Sequence, residues 1–96
     1  MIPHVTEARP LEDHRLRLRF DDGTEGVVDI AARVRFDGVF APLASLENFR
    51  RVRVDAEAGT VVWPNGADLD PVVLYAAAHG TSPEEVLRRP AAATGR

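Results

Sequence analysis

A chain of 96 residues, 45% hydrophobic and 28% charged, has apolar surface for one modest core and too little length for a second, so a single folded domain is expected. The absence of cysteine excludes a disulfide framework, a thiolate zinc site and a cysteine nucleophile. The formal net charge of -3 argues against non-specific nucleic-acid binding by the whole domain, although all 12 basic residues are arginine and six fall at Arg15, Arg17, Arg19 and Arg50, Arg51, Arg53.

No apolar run is long enough to span a membrane, and residues 1 to 9 lack both the basic and the apolar region of a secretory leader, so a cytoplasmic location is expected. Ile2, Val5, Thr6 and Leu11, interrupted by Pro3 and Pro10, suit a first strand at a sheet edge, because proline cannot donate to an interior ladder. Arg15 to Phe20 alternates strictly, which places Leu16, Leu18 and Phe20 on a core face and Arg15, Arg17 and Arg19 on the opposite one. Asp21-Asp-Gly-Thr24 supplies turn chemistry and Val27 and Val28 return the chain, so a β-hairpin over roughly 15 to 30 is expected.

Residues 31 to 36 predict one or two helical turns behind an Asp29 cap, closed by Asp37-Gly38. Val39 to Leu43 carries bulky apolar groups through Pro42 to cover one end of the sheet. Ser45 to Phe49 reads as a capped single turn that buries Leu46 and Phe49. Val52 and Val54 alternate with Arg51, Arg53 and Asp55, and a connection over 56 to 59 leads into Thr60-Val-Val-Trp63, a second hairpin.

The stretch from Thr60 to Asp68 concentrates the unusual residues of the chain: the sole tryptophan, Trp63, then Pro64-Asn65-Gly66, then Asp68. Pro64 removes a backbone donor and Asn-Gly tolerates positive φ, so the chain must reverse or bend sharply there. Asp70 and Pro71 then supply an N-cap acid and an N1 proline for a helix that runs through Ala78 and stops at His79-Gly80. Ser82, Pro83, Glu84 and Glu85 repeat the start signal, with two acids at the positive end of the helix dipole. From Pro90 onward there is little to bury, and a tail without order is expected.

These elements predict an α+β fold with a small, mostly antiparallel sheet of about five strands in hairpins. A short connecting helix and a C-terminal helix are expected on or beside it. Residues 1 to 80 form the domain in this reading, and 81 to 96 a helical turn followed by the tail.

Leu16-Arg-Leu-Arg-Phe-Asp-Asp-Gly23, Val28-Asp-Ile30, Gly38-Val-Phe-Ala-Pro-Leu43, Phe49 and Trp63-Pro-Asn-Gly-Ala-Asp-Leu69 with Pro71 together resemble the small bacterial family of domains of unknown function numbered 2442. The resemblance covers roughly residues 3 to 78. It implies an α+β domain with a mostly antiparallel sheet, similar to the N-terminal domain of a nitrifying-bacterium protein that carries a helix-turn-helix. It implies no activity. Members look to be encoded often beside another small uncharacterised protein, an arrangement similar to toxin and antitoxin pairs. Longer relatives append a helix-turn-helix that this chain lacks, so no direct DNA-binding role is expected.

Two groups of residues are candidate binding sites. Trp63, Asn65 and Asp68 offer an indole, an amide and a carboxylate for one small pocket, against a purely structural reading as core packing, turn geometry and turn-amide bonding. Arg15, Arg17, Arg19, Arg51 and Arg53 form a stripe for carboxylate or phosphate partners if the two strands share a sheet; interleaved Glu7, Glu25 and Asp55 would instead make an ordinary salt-bridged face. No catalytic or metal site is expected, because His4, His14 and His79 share no helical spacing, the paired acids have turn or cap roles, and Ser45 and Ser82 look like caps. No cofactor is expected.

The function expected is a non-catalytic protein-interaction or regulatory module, in its sharpest form the antitoxin-like member of a two-gene pair. The alternative is a small-ligand or nucleic-acid-binding regulator. A protein partner is expected, either the product of an adjacent gene or a second copy of the chain, with no membrane and no nucleic acid for this domain alone.

Overall fold

Strand β2 (Arg15–Phe20) is the middle strand of the larger sheet, and its alternation is realised in full: Leu16, Leu18 and Phe20 are buried and the three arginines are exposed. β1 (Val5–Pro10) and β3 (Glu25–Asp29) flank it, both antiparallel, in the order β1-β2-β3. The computed structural model describes residues 2–88, and the tail expected from Pro90 onward lies outside the described residues.

The second hairpin, β4 (Arg53–Asp55) and β5 (Thr60–Val62), forms its own two-stranded sheet. The five expected strands therefore divide between two antiparallel sheets. They meet at β1, where the Val5 N–H donates to the Gly59 carbonyl at 2.9 Å. The Asp55 carboxylate accepts from the Glu57 and Ala58 amides at 3.0 and 3.2 Å and so fixes the connection between β4 and β5.

Three short segments join these sheets. After β3, Ile30–Ala32 makes a 3-10 turn whose Ala32 amide donates to the Asp29 carboxylate at 3.3 Å, the cap expected there. Gly38–Ala44 is a 3-10 helix that carries Pro42 and buries Leu43. It runs into α1 (Leu46–Phe49), where two expectations fail: the Ser45 side chain makes no capping bond, and Leu46 is 38% exposed. A four-residue helix turns one side inward, and Phe49 occupies that side.

Helix α2 (Pro71–His79) begins as expected, with the Asp70 carboxylate accepting from the Val72 amide at 2.7 Å and Pro71 in the first turn, and ends at Gly80 in the left-handed conformation. It buries Leu74, Tyr75 and Ala76 and packs on β3. That approach requires a glycine: a Cβ at Gly26 would lie 2.7 Å from the Ala78 Cβ and 2.8 Å from its carbonyl oxygen.

α3 (Pro83–Arg88) is capped by Ser82, whose hydroxyl accepts from the Glu85 amide at 3.1 Å. Its Val86 is fully buried, so the packed unit continues past residue 80. Trp63, Phe20, Phe49, Leu16, Leu18, Ile30, Leu43 and Leu74 are the largest buried side chains, each contributing about 1.5–3 kcal/mol by leaving water.

Candidate functional site

The reversal at Trp63 is a three-residue hairpin loop. The Gly66 amide donates to the Trp63 carbonyl at 2.9 Å, the Trp63 amide donates to the Ala67 carbonyl at 2.9 Å, and Gly66 takes φ +91°. This is the geometry in which a turn is followed by a left-handed residue, which glycine adopts without steric cost. Val62 and Asp68 form an antiparallel bridge, so the loop returns alongside β5 before α2 begins.

Within that loop the side-chain polar groups are bonded to neighbouring backbone, the indole in the core and the Asn65 amide at the surface. Trp63 is 1% exposed and its Nε1–H donates to the Phe49 carbonyl at 2.9 Å. Asn65 donates from Nδ2 to the Val39 carbonyl at 2.9 Å and accepts at Oδ1 from the Ala67 amide at 3.2 Å. These bonds tie the loop to α1 and to the 3-10 helix.

Trp63 and Asn65 do line a cleft of about 320 Å³, together with Pro42, Leu43, Pro64, Asn48 and Arg51. Asp68, exposed on the return leg, is outside its lining. The structure thus brings two of the three residues of the first candidate site together. Arg51, a member of the second, joins them as the one charged residue of the cleft.

The arginine stripe divides in the same way. Arg15, Arg17 and Arg19 share the solvent face of β2, whereas Arg53 lies on β4 in the other sheet and Arg51 follows α1, where it stands 3.7 Å from Glu47. On the β2 face, Glu25 reaches Arg17 at 3.1 Å and Arg19 at 3.7 Å, and Asp13 lies 3.8 Å from Arg15.

A residue absent from the sequence reading completes this face. Arg9 of β1 stands directly opposite Arg17, and the two line a basin of about 280 Å³ with Glu7, Leu18, Arg19 and Glu25. In a regular strand Glu7 and Arg9 would follow the buried Val5 onto the core face. A register shift between Val5 and Glu7 turns them outward instead. Local sequence carries no signal for that bulge.

A third grouping joins residues far apart in sequence. Tyr75 Oη donates to Asp22 Oδ2 at 2.6 Å, and Asp22 Oδ1 accepts from the Thr24 hydroxyl at 2.6 Å and from its amide at 3.0 Å. His79 stacks on Tyr75 with ring centroids 3.9 Å apart, and its Nε2 lies 3.0 Å from Thr24 Oγ1. Burial pushes the Asp22 carboxyl up, but the bonds from Thr24 and Tyr75 and the nearby His79 outweigh it and hold the group below its ordinary value. The cluster latches the β2–β3 turn to the last turn of α2.

The other histidines stand elsewhere. His14 packs between Phe36 and Phe49, with Nε2 2.9 Å from the Leu43 carbonyl, and His4 faces Asp21 at 3.3 Å. Among the described residues no group of three His, Cys, Asp or Glu side chains is placed to hold a metal ion.

The family model described as "Protein of unknown function (DUF2442)" matches residues 5–80, from the first residue of β1 to the glycine that stops α2. The chain belongs to the DUF2442 family. No curated protein and no solved structure matches it significantly. The matched part of this DUF2442 domain holds both sheets, the Trp63 cleft and the Asp22–Tyr75 latch, while α3 lies beyond it. Among the described residues no helix is long and apolar enough to cross a membrane.

Proposed function

We propose that this DUF2442 domain is a non-catalytic protein-interaction module that docks an acidic segment of a partner on the solvent face of its three-stranded sheet. The observation that carries this reading is the direct opposition of Arg9 and Arg17 in the basin they share with Arg19. Like charges facing each other across a ladder cost a few tenths to about 1 kcal/mol, a cost that carboxylates from a partner would relieve. Glu25 neutralises this face only in part, since it is shared between Arg17 and Arg19 and the three side chains are 40 to 59% exposed. Such a pair is worth little in water and exchanges readily for a better-placed bidentate carboxylate.

Val27, opposite Arg17 on β3 and 49% exposed, adds an apolar contact at the sheet edge. The basin sets three arginines against Glu7 and Glu25, a surplus of one positive charge that suits an isolated carboxylate of a protein better than the continuous charge of a phosphate backbone. In its sharpest form the module is the antitoxin-like, regulatory half of a two-gene unit, and the partner is the product of the adjacent gene.

Co-expression with that gene product tests both levels of the proposal. A complex should co-purify, weaken steeply as salt rises from 50 to 500 mM, and lose about tenfold or more in affinity in an Arg9→Ala, Arg17→Ala double variant that keeps its melting temperature. Absence of any complex sinks the two-gene version, and a complex indifferent to both salt and the double substitution sinks the sheet-face version.

A further inference from the structure

We infer that the cleft beside Trp63 captures the apolar C-terminal residue of a partner polypeptide, with Arg51 holding its terminal carboxylate. The cleft, at about 320 Å³, stands at the small end of ligand sites, a size suited to one residue rather than to a nucleotide-sized cofactor. Its walls are apolar where they are closed: Pro42, Leu43, Pro64 and the Trp63 ring. Trp63 and Leu43, each 1% exposed, form its floor, with the indole N–H spent on the Phe49 carbonyl, and the apolar surface open to an occupant is that of Pro42 and Pro64.

The remaining polar groups define the rest of the ligand. Asn48 Nδ2 donates to the Pro42 carbonyl at 3.0 Å, which fixes the amide, and among the described residues its Oδ1 accepts from nothing. That oxygen is open to solvent and can accept a backbone N–H in place of water. Arg51 stands 3.7 Å from Glu47 with the two side chains 60% and 82% exposed, a pair weak enough to yield to a carboxylate that meets the guanidinium bidentately. An apolar side chain, an N–H and a carboxylate on adjoining atoms are the chemistry of a polypeptide C-terminus. Val39 lies next to this site, 50% exposed and held by Asn65 through its carbonyl, and offers apolar surface for the residue before the last.

The cleft shares no residue with the arginine basin, so either surface can fail while the other stands. The test titrates the full chain with an N-acetylated hexapeptide ending in leucine, against the same peptide as its C-terminal amide and against one ending in aspartate. Binding is followed by calorimetry and by the fluorescence of Trp63, the only indole in the chain. The free acid should bind saturably and perturb Trp63. The amide, the aspartate peptide and the Arg51→Gln variant should each bind at least tenfold more weakly, Asn48→Ala should weaken binding less, and the Arg9→Ala, Arg17→Ala variant should bind like the parent. Equal binding of acid and amide, equal binding of leucine and aspartate ends, or no saturable heat from the leucine peptide overturns the inference. The leucine and aspartate ends are compared in the Arg9→Ala, Arg17→Ala background, where the sheet face no longer takes up the aspartate, and the sheet-face complex is tested separately through its sensitivity to Arg9 and Arg17.

Discussion

The hydroxyl of Tyr75 reaches Asp22 across 53 positions of sequence, and this bond joins the tip of the first hairpin to α2. His79, stacked on Tyr75 and bonded to its carbonyl at 2.9 Å, closes the same latch through Thr24. Because the Tyr75 carbonyl can only accept, His79 Nδ1 carries a hydrogen in this arrangement. The Asp22 carboxylate is favoured in the folded state, so the stability it contributes is complete above the unfolded carboxyl value of about 4 and is lost as pH falls through the lower folded value. The melting temperature should therefore fall on acidification below about pH 4, and Asp22→Asn should flatten that acid limb. Tyr75→Phe should lower stability at pH 7 by about 1 kcal/mol and remove part of the acid dependence, both measured by urea titration across pH. A Tyr75→Phe chain with the parent's midpoints at every pH would show that the latch contributes nothing.

Among the elements, the loop from Trp63 to Ala67 does the most to place other groups. It sets the indole against Phe49, holds Val39 through Asn65 and forms one wall of the cleft. Gly66 adopts φ +91°, a conformation costly for L-residues with a Cβ, so Gly66→Ala should cost about 1–2 kcal/mol. A shift of the urea midpoint by the corresponding amount checks this, with Pro64→Ala, which lies in the exposed part of the same loop, as a milder comparison. This element was legible beforehand because its determinants are local: Pro64 withholds a donor and Asn65-Gly66 accepts the turn. The caps at Asp70 and Ser82 were legible for the same reason. The face of Arg9 was not, because one extra residue between Val5 and Glu7 reverses the alternation of β1 and nothing in those side chains marks it. Ser45 had the composition of a cap and the structure does not use it as one.

Across the whole molecule, one core unites two sheets and three helices. Val5, Phe20 and Val28 come from the larger sheet, Val61 and Trp63 from the smaller hairpin and its loop, and Leu74 and Val86 from the helices. Shared burial of this kind couples the parts, so unfolding should be a single transition with Trp63 fluorescence and far-UV circular dichroism giving the same midpoint. Gly26→Ala tests the coupling. Its new Cβ meets the backbone oxygen of Ala78, which cannot rotate away, so a loss of about 1–3 kcal/mol is expected. Both probes should shift together; a shift in one alone would show that the two sheets unfold separately.

Features that depend on neighbours in the chain were legible from the order of residues. The alternation of β2, the turn after Trp63 and the start and stop of α2 follow from period, proline and glycine placement, and capping acids, each acting over a few residues. Tertiary structure alone decided what depends on register and on approach in space. It separated Arg53 from the β2 arginines by giving β4 and β5 a sheet of their own, set Arg9 opposite Arg17, moved Arg51 into the cleft of Trp63, and left Asp68 outside it. A charge on a strand is visible in the chain, but the residue that faces it is chosen by how the strands pair and where the helices come to rest.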